Sequence, residues 1–369
     1  MNVNFTETVA ALGNDAVFKI ANAQRPPANY LFNTLLPEMA KPSYYVDSGT
    51  MTVRSTMAGL VGMNSPYPGG GMVETSTFLE QTAKIAIEVG LDERTLRAIQ
   101  DLMKQVMLSG GNTKEALAQE ALNFLDKVIV QAMMDRTEWL RGQALVHGAI
   151  DWTFNKKNLE VNYGIPTANI LTSRTGTAGY GGSASTFWTD VREAQRLLRY
   201  QVRTVIAHSD TINMILDNEV NSALVLTQSL AGTSIRRYKD VSGNSVPSTD
   251  ARDQLTLVAY DEEGEILDPS NPGSTITVPF MSTGKLLFVG MNNRSGYRVG
   301  QGSTDDPTED LALGYTHMAP TVEGGAPGRW AQLYTPEREP WSLRGRGAMN
   351  ALPVIEAPQK IVIATTEMV

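Results

Sequence analysis

The chain has no cysteine among its 369 residues. A disulfide, a thiolate nucleophile and a cysteine-ligated zinc site are therefore excluded, and stability beyond the core must come from packing or assembly. Histidine is nearly as scarce, with only His147, His208 and His317. They lie far apart in sequence, and none has the HExxH or HxH spacing that would aim two imidazoles at one metal, so structural or surface roles are expected. No run of about 18 apolar residues exists to span a bilayer, and Met1-Asn2-Val3-Asn4-Phe5-Thr6-Glu7 lacks the basic and apolar regions of a secretory signal. The default expectation is a cytoplasmic chain without a membrane partner. Basic charge is also in deficit, with 31 Lys and Arg against 39 Asp and Glu, a net charge of −8. That balance argues against a dedicated nucleic-acid binder, which would show a basic domain or stripe, but not against a protein that encloses nucleic acid.

Catalytic patterns are missing as well. There is no GxSxG elbow, and although His208-Ser209-Asp210 contains the residue types of a triad, adjacent residues do not generally converge as one. Gly176-Thr177-Ala178-Gly179-Tyr180-Gly181-Gly182 has the glycine content of a phosphate loop but neither the following Lys-Ser/Thr nor a GxGxxG spacing, and reads as a flexible linker. Asp305, Asp306, Glu309 and Asp310 lack the Asp-x-Asp-x-Asp-Gly spacing of a calcium loop and read as a solvated acidic loop. Asp261-Glu262-Glu263-Gly264-Glu265 reads as a charged turn. Two short basic clusters, Arg236-Arg237-Tyr238-Lys239 and Arg344-Gly345-Arg346, could meet phosphate or a neighbouring subunit's carboxylates. No catalytic, cofactor-binding or metal residue is assigned.

Against these absences stands one unusual segment. From Tyr45 to Leu79 only Asp47, Arg54 and Glu74 are charged, about half the density of the whole chain, and near the middle lies the turn cluster Pro66-Tyr67-Pro68-Gly69-Gly70-Gly71. Beyond it, Ala83-Lys84-Ile85-Ala86-Ile87-Glu88-Val89 alternates with the period of a half-buried strand. The two limbs predict a long hairpin over residues 45–91. An isolated hairpin is marginal in water, so this one is expected to lie against another copy of the chain. Met51, Met57, Met63 and Met72 suit an adaptable contact surface, or ordinary packing against the chain's own body.

Around the hairpin the chain divides unevenly. Residues 1–44 read as an N-terminal arm containing the short apolar run Leu31-Phe32-Asn33-Thr34-Leu35-Leu36. Asp92 can cap a helix bearing Leu96, Ile99, Met103 and Val106. After Gly110-Gly111 a second helix is predicted over 112–148, roughly 54 Å at 1.5 Å per residue, with Leu117, Ala121, Phe124, Leu125, Val128 and Ala132 as its buried stripe. A further hairpin is expected from Trp152 to Tyr163, completing a region at 92–182. The middle, 183–312, reads as a compact α+β unit with helices at Phe187–Gln201 and Asp210–Thr227 and strands at Gln254–Tyr260, Thr275–Phe280 and Lys285–Met291. Residues 313–369 return to extended, proline-punctuated segments at Ala331–Tyr334, Met349–Ile355 and Lys360–Ala364.

This order of parts resembles the Hong Kong 97-type phage capsid fold, and more closely the lambda-like major capsid protein family. The resemblance is carried by Leu31–Leu36 before the hairpin, by the glycine-rich turn leading to Leu91-Asp92-Glu93-Arg94, and by Arg338-Glu339-Pro340-Trp341-Ser342-Leu343 through Ala351-Leu352-Pro353-Val354-Ile355. It implies an α+β chain whose hairpin is the extended loop, whose helix 112–148 and C-terminal strands form a peripheral domain, and whose residues 183–312 form an axial domain. The function implied is self-assembly, without cofactors or catalysis, into hexamers and pentamers of an icosahedral head. Such a virion shell, assembled in the host cytoplasm, would enclose double-stranded DNA without reading its sequence, with decoration, scaffolding and portal proteins as further partners. Head-to-tail contacts of this kind are heterologous and close into rings. Intersubunit contacts are expected from Pro66, Tyr67, Pro68, Gly69, Gly70 and Gly71 at the tip, with Arg54 and Glu74 as ion-pair members. Some members of the wider fold weld subunits by a lysine–asparagine isopeptide bond from this loop. No lysine lies between Lys41 and Lys84, so no such cross-link is expected here. With the hairpin beginning near residue 45, any scaffold is expected to be a separate protein. The alternatives are another shell or ring protein of related fold, such as a nanocompartment, and a soluble enzyme with a histidine or carboxylate site in the central region.

Overall fold

The computed structural model describes residues 25–54, 72–91, 125–154, 157–198, 202–222, 225–227, 234–237, 254–267, 274–290, 313–334 and 343–368. For some of these, 47–54 and 72–80 among them, the backbone course alone is described. Helix α1 (Leu31–Leu35) and strand β1 (Glu38–Ala40) precede β2 (Tyr45–Arg54), β3 (Met72–Gln81) and β4 (Ala83–Leu91). A helical rod follows, with wide π-type turns at Leu125–Val130, regular helix α2 (Gln131–Gly142) and wide turns again at Gln143–His147. Strands β5 (Ala149–Phe154) and β6 (Lys157–Asn162) form a hairpin, as the sequence predicts. Next come α3 (Phe187–Leu197), β7 (Val202–Ala207), α4 (Ser209–Asp217), α5 (Glu219–Ser222), β8 (Val225–Thr227), β9 (Ser234–Arg237), β10 (Gln254–Ala259), β11 (Glu263–Leu267), β12 (Thr275–Pro279) and β13 (Lys285–Gly290). The chain closes with β14 (Gly314–Ala319), β15 (Arg329–Tyr334), β16 (Leu343–Ile355) and β17 (Ile361–Thr365).

The rod stops at Gly148, whose φ of +71° suits glycine in the left-handed C-terminal position. Within it Ile129, Val130, Met133, Met134, Thr137, Glu138, Trp139, Leu140 and Arg141 are all buried. The expected stripe is displaced, because Val128 and Ala132 are only half-buried. Helix α2 is enclosed from more than one side, so its surroundings rather than a single periodic face decide burial. Leu117, Ala121 and Phe124 lie outside the described residues.

Strand β16 is the axis of a five-stranded sheet. Along one side β4 pairs with it antiparallel, from Leu91 opposite Leu343 to Ala83 opposite Ala351. On the other side β14 and β15 run in the same direction, and Ala319 and Arg329 take the consecutive positions opposite Asn350 and Met349. They amount to one strand interrupted by an excursion over 320–328, whose neck is closed by a bridge between Pro320 and Pro327. Strand β1 adds parallel to β14. The sheet meets the rod closely at Gly347, where a Cβ would lie 2.5 Å from Ile129 Cγ2 and 3.0 Å from Met133 Cε. Glycine is the residue that permits this approach.

The predicted hairpin is present but its limbs differ. Strand β2 pairs over ten residues with β3, from Tyr45 opposite Gln81 to Arg54 opposite Met72, as its own two-stranded sheet. The alternating segment Ala83–Val89 is a strand, yet it belongs to the body, paired with β16. Alternation identifies a strand but not its partner.

The second large sheet has the order β17-β13-β7-β10-β9-β8. Strand β7 is parallel to β10 and antiparallel to β13, which is antiparallel to β17. Leu286, Leu287, Phe288 and Val289 are buried in succession, as are Ile361, Val362, Ile363 and Ala364, the mark of strands covered on both faces. Two helical expectations end early: α3 stops at Leu197, with β7 beginning at Val202, and the run predicted to Thr227 gives way to β8 at Val225. Strands β11 and β12 form a separate ribbon, so the charged turn expected at 261–265 passes into a strand at Glu263. The stretch Gly176–Gly182 is a built turn rather than a flexible linker. Gly176 N donates to Glu367 Oε2 at 3.0 Å, Tyr180 N to Thr366 Oγ1 at 3.0 Å, and Asn218 Nδ2 to Gly182 O at 2.8 Å. A Cβ on Gly182 would lie 2.3 Å from Thr177 O, so close approach, not mobility, is what its glycine serves.

Candidate assembly arm and its anchorage

The ribbon β2–β3 spans ten residue pairs, roughly 34 Å at about 3.4 Å per residue. Its root is tied to the body by short-range polar contacts. Tyr44 O accepts from Thr82 N at 3.1 Å and from Thr82 Oγ1 at 3.2 Å. Tyr45 N donates to Ser43 Oγ at 3.1 Å, and Ser43 O lies 2.8 Å from His317 Nε2. Val46 is fully buried at the junction, while Met39, Tyr44 and Tyr45 beside it are exposed, Tyr45 by 54%. Of the expected contact residues, Arg54 sits opposite Met72 and Glu74 opposite Thr52 in the ribbon's register. Pro66, Tyr67, Pro68, Gly69, Gly70 and Gly71 lie outside the described residues.

Just before the ribbon, the chain from Tyr30 to Ala40 packs into the body, although the sequence reading gives the whole of 1–44 to an arm. Phe32, Leu35 and Leu36 are buried, and Phe32 meets Tyr260 edge-on at 4.8 Å between ring centroids. The rod supplies the polar anchor. Glu138 Oε1 accepts from Phe32 N at 2.8 Å and from Tyr260 OH at 2.8 Å, while Glu138 Oε2 accepts from Arg141 Nη1 at 2.9 Å. Arg141 Nε donates to Thr316 Oγ1 at 2.8 Å, and Thr316 Oγ1 donates to Leu36 O at 2.8 Å. Glu38 is paired with both Arg141 and Arg329. Glu138 and Arg141 are almost wholly removed from water, so this charge pair survives only because its hydrogen bonds are filled. Nearby, Tyr30 OH donates to Asp135, and Gln131 Nε2 donates to the same oxygen at 2.7 Å. Burial raises the Asp135 carboxyl above its ordinary value despite these donors, and burial followed by the Asp135 bond raises the Tyr30 hydroxyl.

The outward face of the five-stranded sheet satisfies its own charges. Glu88 accepts from Tyr334 OH at 2.8 Å and from Arg344 Nη1 at 3.2 Å, which lowers its carboxyl. Arg346 donates twice to Gln332 Oε1 and lies over the rings of Trp330 and Tyr334. The cluster Arg344-Gly345-Arg346, open in sequence to phosphate or a neighbour's carboxylates, is thus engaged within the chain.

The histidines take structural places. His208 Nδ1 accepts from Asp210 N at 3.2 Å and caps α4, while Ser209 N donates to Asp261 Oδ1 at 2.7 Å. His208-Ser209-Asp210 is therefore a helix start. His147 Nε2 lies 3.1 Å from Ser282 Oγ, and burial followed by the Lys285 charge lowers its imidazole. Among the described residues no group of His, Asp and Glu side chains is arranged to hold a metal, and no helix is long and apolar enough to cross a membrane. Asp305, Asp306, Glu309 and Asp310 lie outside the described residues. What sequence reasoning misses here is the Glu138–Arg141–Glu38–Arg329 anchor. The i,i+3 spacing of Glu138 and Arg141 inside a predicted buried helix is the signal that could have found it.

No protein-family model matches the chain, and no curated protein sequence does. Solved structures do. A phage-related protein of Bordetella bronchiseptica RB50 is 10% identical over 94% of each chain, with a TM-score of 0.48. An encapsulin, SrpI of Synechococcus elongatus PCC 7942, is 12% identical over 97% of this chain and 94% of that one, with a TM-score of 0.43. A prophage protein of Escherichia coli CFT073, described as a capsid protein, is 12% identical over 100% of both chains, with a TM-score of 0.55. At that score and full mutual coverage, this mixed α+β chain has the fold of the prophage capsid protein.

Proposed function

We propose that the chain is a major capsid subunit of the Hong Kong 97 type, assembling without covalent cross-links into an icosahedral head around double-stranded DNA. The observation that carries this reading is the ribbon β2–β3. It pairs only with itself among the described residues, is rooted through Ser43, Tyr44 and Thr82, and has Met39, Tyr44 and Tyr45 exposed at its base. A two-stranded ribbon of this length is marginal in water alone and gains stability by lying on a neighbour. The full-length structural match to a prophage capsid protein supports the same reading.

In this proposal residues 45–91 contain the extended loop, with its tip at Pro66–Gly71 and with Arg54 and Glu74 as ion-pair members across the subunit contact. The rod and the sheet around β16 form the peripheral domain, and the sheet around β13 and β7 forms the axial domain at five- and six-fold axes. Interfaces of obligate assemblies bury about 2,000–5,000 Å² each, so area rather than side-chain chemistry performs the work. Negative-stain electron microscopy of the particle fraction from expressing cells, with light scattering for mass, tests it. Closed shells or rings of five and six subunits are expected. A monodisperse monomer of 40.1 kDa, even with scaffolding and portal proteins supplied, would overturn the proposal. Shells carrying protein cargo in place of DNA would favour a nanocompartment.

A further inference from the structure

The five-stranded sheet ends on β4 with an open edge. Strand β4 gives one side to β16, in unbroken register from Ala83 to Leu91, and among the described residues no strand lies along its other side. Its outward row, Lys84, Ala86, Glu88 and Gly90, is exposed. The opposite row, Ile85, Ile87 and Val89, shares the face of Gly347, which meets the rod, yet it is only half-buried. Met349, the inner neighbour of Ile85 on that face, is fully buried. A long edge with an apolar row left half-open is a template for one more strand.

The strand's own sequence points to the partner. When two copies of a strand pair antiparallel about a two-fold axis, the axis must pass through a residue, because an axis between residues sets outward side chains opposite inward ones. An axis at Lys84 sets lysine against lysine, and one at Glu88 sets glutamate against glutamate, which is unfavourable. Axes at Ile85 or Ile87 leave each charge opposite an uncharged residue. Of these five, only an axis at Ala86 sets Lys84 opposite Glu88 and, by symmetry, Glu88 opposite Lys84. The same register brings Ile85 against Ile87 and Ala83 against Val89. Neither charge is used up within the chain. Lys84 pairs with Glu323 and Glu88 with Arg344, but the two side chains keep 51% and 52% of their surface.

We propose that β4 is a two-fold docking edge for a second copy of the chain, pairing antiparallel about Ala86 and joining two five-stranded sheets into one. This deepens the assembly reading above and rests on it. Head-to-tail contacts close a ring, so a shell needs a contact of another kind between rings, and a self-complementary edge supplies an isologous one. It also covers the half-open row, with Ile85 of each copy against Ile87 of the other.

The absence of cysteine makes the test direct. Directly opposite Cα atoms of an antiparallel pair lie about 4.5–5.5 Å apart, within the separation of about 4.4–6.8 Å that a disulfide spans. Ala86→Cys in the full chain therefore places one thiol on the axis, facing its own copy. When the particle fraction is treated with oxidised glutathione, a band at about twice 40.1 kDa is expected on a non-reducing gel, and a reductant should remove it. Gly90→Cys, on the same row but about 27 Å from its symmetry mate at about 3.4 Å per residue, should stay single. Lys84→Glu sets two pairs of glutamates face to face and should lower the Ala86→Cys dimer about tenfold. Adding Glu88→Lys should restore it, although the pairs with Glu323 and Arg344 stay broken. No dimer at 86, an equal dimer at 90, or no rescue by the double exchange would each overturn the docking edge. Should the charge variants not fold, the two cysteine variants decide alone. Electron microscopy of the same fractions separates the two readings. Shells without the 86 dimer would overturn the edge alone, whereas the 86 dimer without shells or rings would support the edge and overturn the assembly reading.

Discussion

At the scale of single residues, the fold depends on polar groups that no hydrophobic pattern announces. Glu138 joins α1, the rod and Tyr260 through three acceptor contacts, one of them to the buried Arg141. Removing it leaves the buried Arg141 with only Glu38, which it shares with Arg329, and strips Phe32 N and Tyr260 OH of their acceptor, so Glu138→Ala is expected to cost about 3–5 kcal/mol in chemical denaturation; a loss under about 1 kcal/mol would show that Glu38 alone suffices for Arg141. Asp135 behaves oppositely. Its raised carboxyl means that the folded state holds the proton more tightly than the unfolded chain does, so its contribution is best at low pH and falls as pH rises past the ordinary carboxylate range. Asp135→Asn keeps an acceptor for Tyr30 and Gln131 and carries no charge. Thermal unfolding at neutral pH should therefore rise by about 2 °C, with little difference at about pH 3, and a lower neutral Tm would contradict this account. Beyond the helical spacings of Glu138 with Arg141 and of Gln131 with Asp135, none of these pairings is written in the sequence, because Tyr30, Phe32, Thr316 and Tyr260 come from distant elements.

At the scale of elements, local signals served well and partners were harder. The rod, hairpin β5–β6 and strands β10, β12, β13, β15, β16 and β17 follow from periodicity and turn residues, since those rules are local. Strand β4 was equally visible, but its pairing with β16 joins residues about 260 apart, and no local rule reaches that far. Likewise Gly176–Gly182 looks like a linker by composition, whereas Glu367, Thr366 and Asn218 make it a folded turn. The contact between the rod and the five-stranded sheet is tested at Gly347. Adding one methyl by Gly347→Ala overlaps Ile129 Cγ2 and is expected to cost about 1–3 kcal/mol, read as a lower denaturation midpoint. An unchanged midpoint would mean that β16 and the rod separate easily. For the ribbon, deleting residues 66–71 should leave soluble folded protein that does not complete particles. Normal particles from that deletion would remove the tip from the assembly mechanism.

At the scale of the whole molecule, the proposed function rests in the sequence on one segment rather than on a motif. The sparsely charged segment from Tyr45 to Leu79 is the feature that suggests a contact surface, and the fold shared with a prophage capsid protein is compatible with that proposal. Which residues meet across subunits is not readable from composition, because interface composition differs little from ordinary surface. With no lysine between Lys41 and Lys84, purified particles should run on a denaturing gel as one band near 40.1 kDa; a ladder of multiples would reveal a covalent bond. One feature of the sheet reaches beyond stability. The excursion over 320–328 leaves and rejoins the same strand line through a closed neck, with Val322 86% exposed and Gly325 at φ +66°. Register on either side is fixed independently of the length between, so this span is free to lengthen by insertion. A foreign peptide spliced between Gly324 and Gly325 would leave the sheet unshifted and, in the proposed shell, be repeated once per subunit.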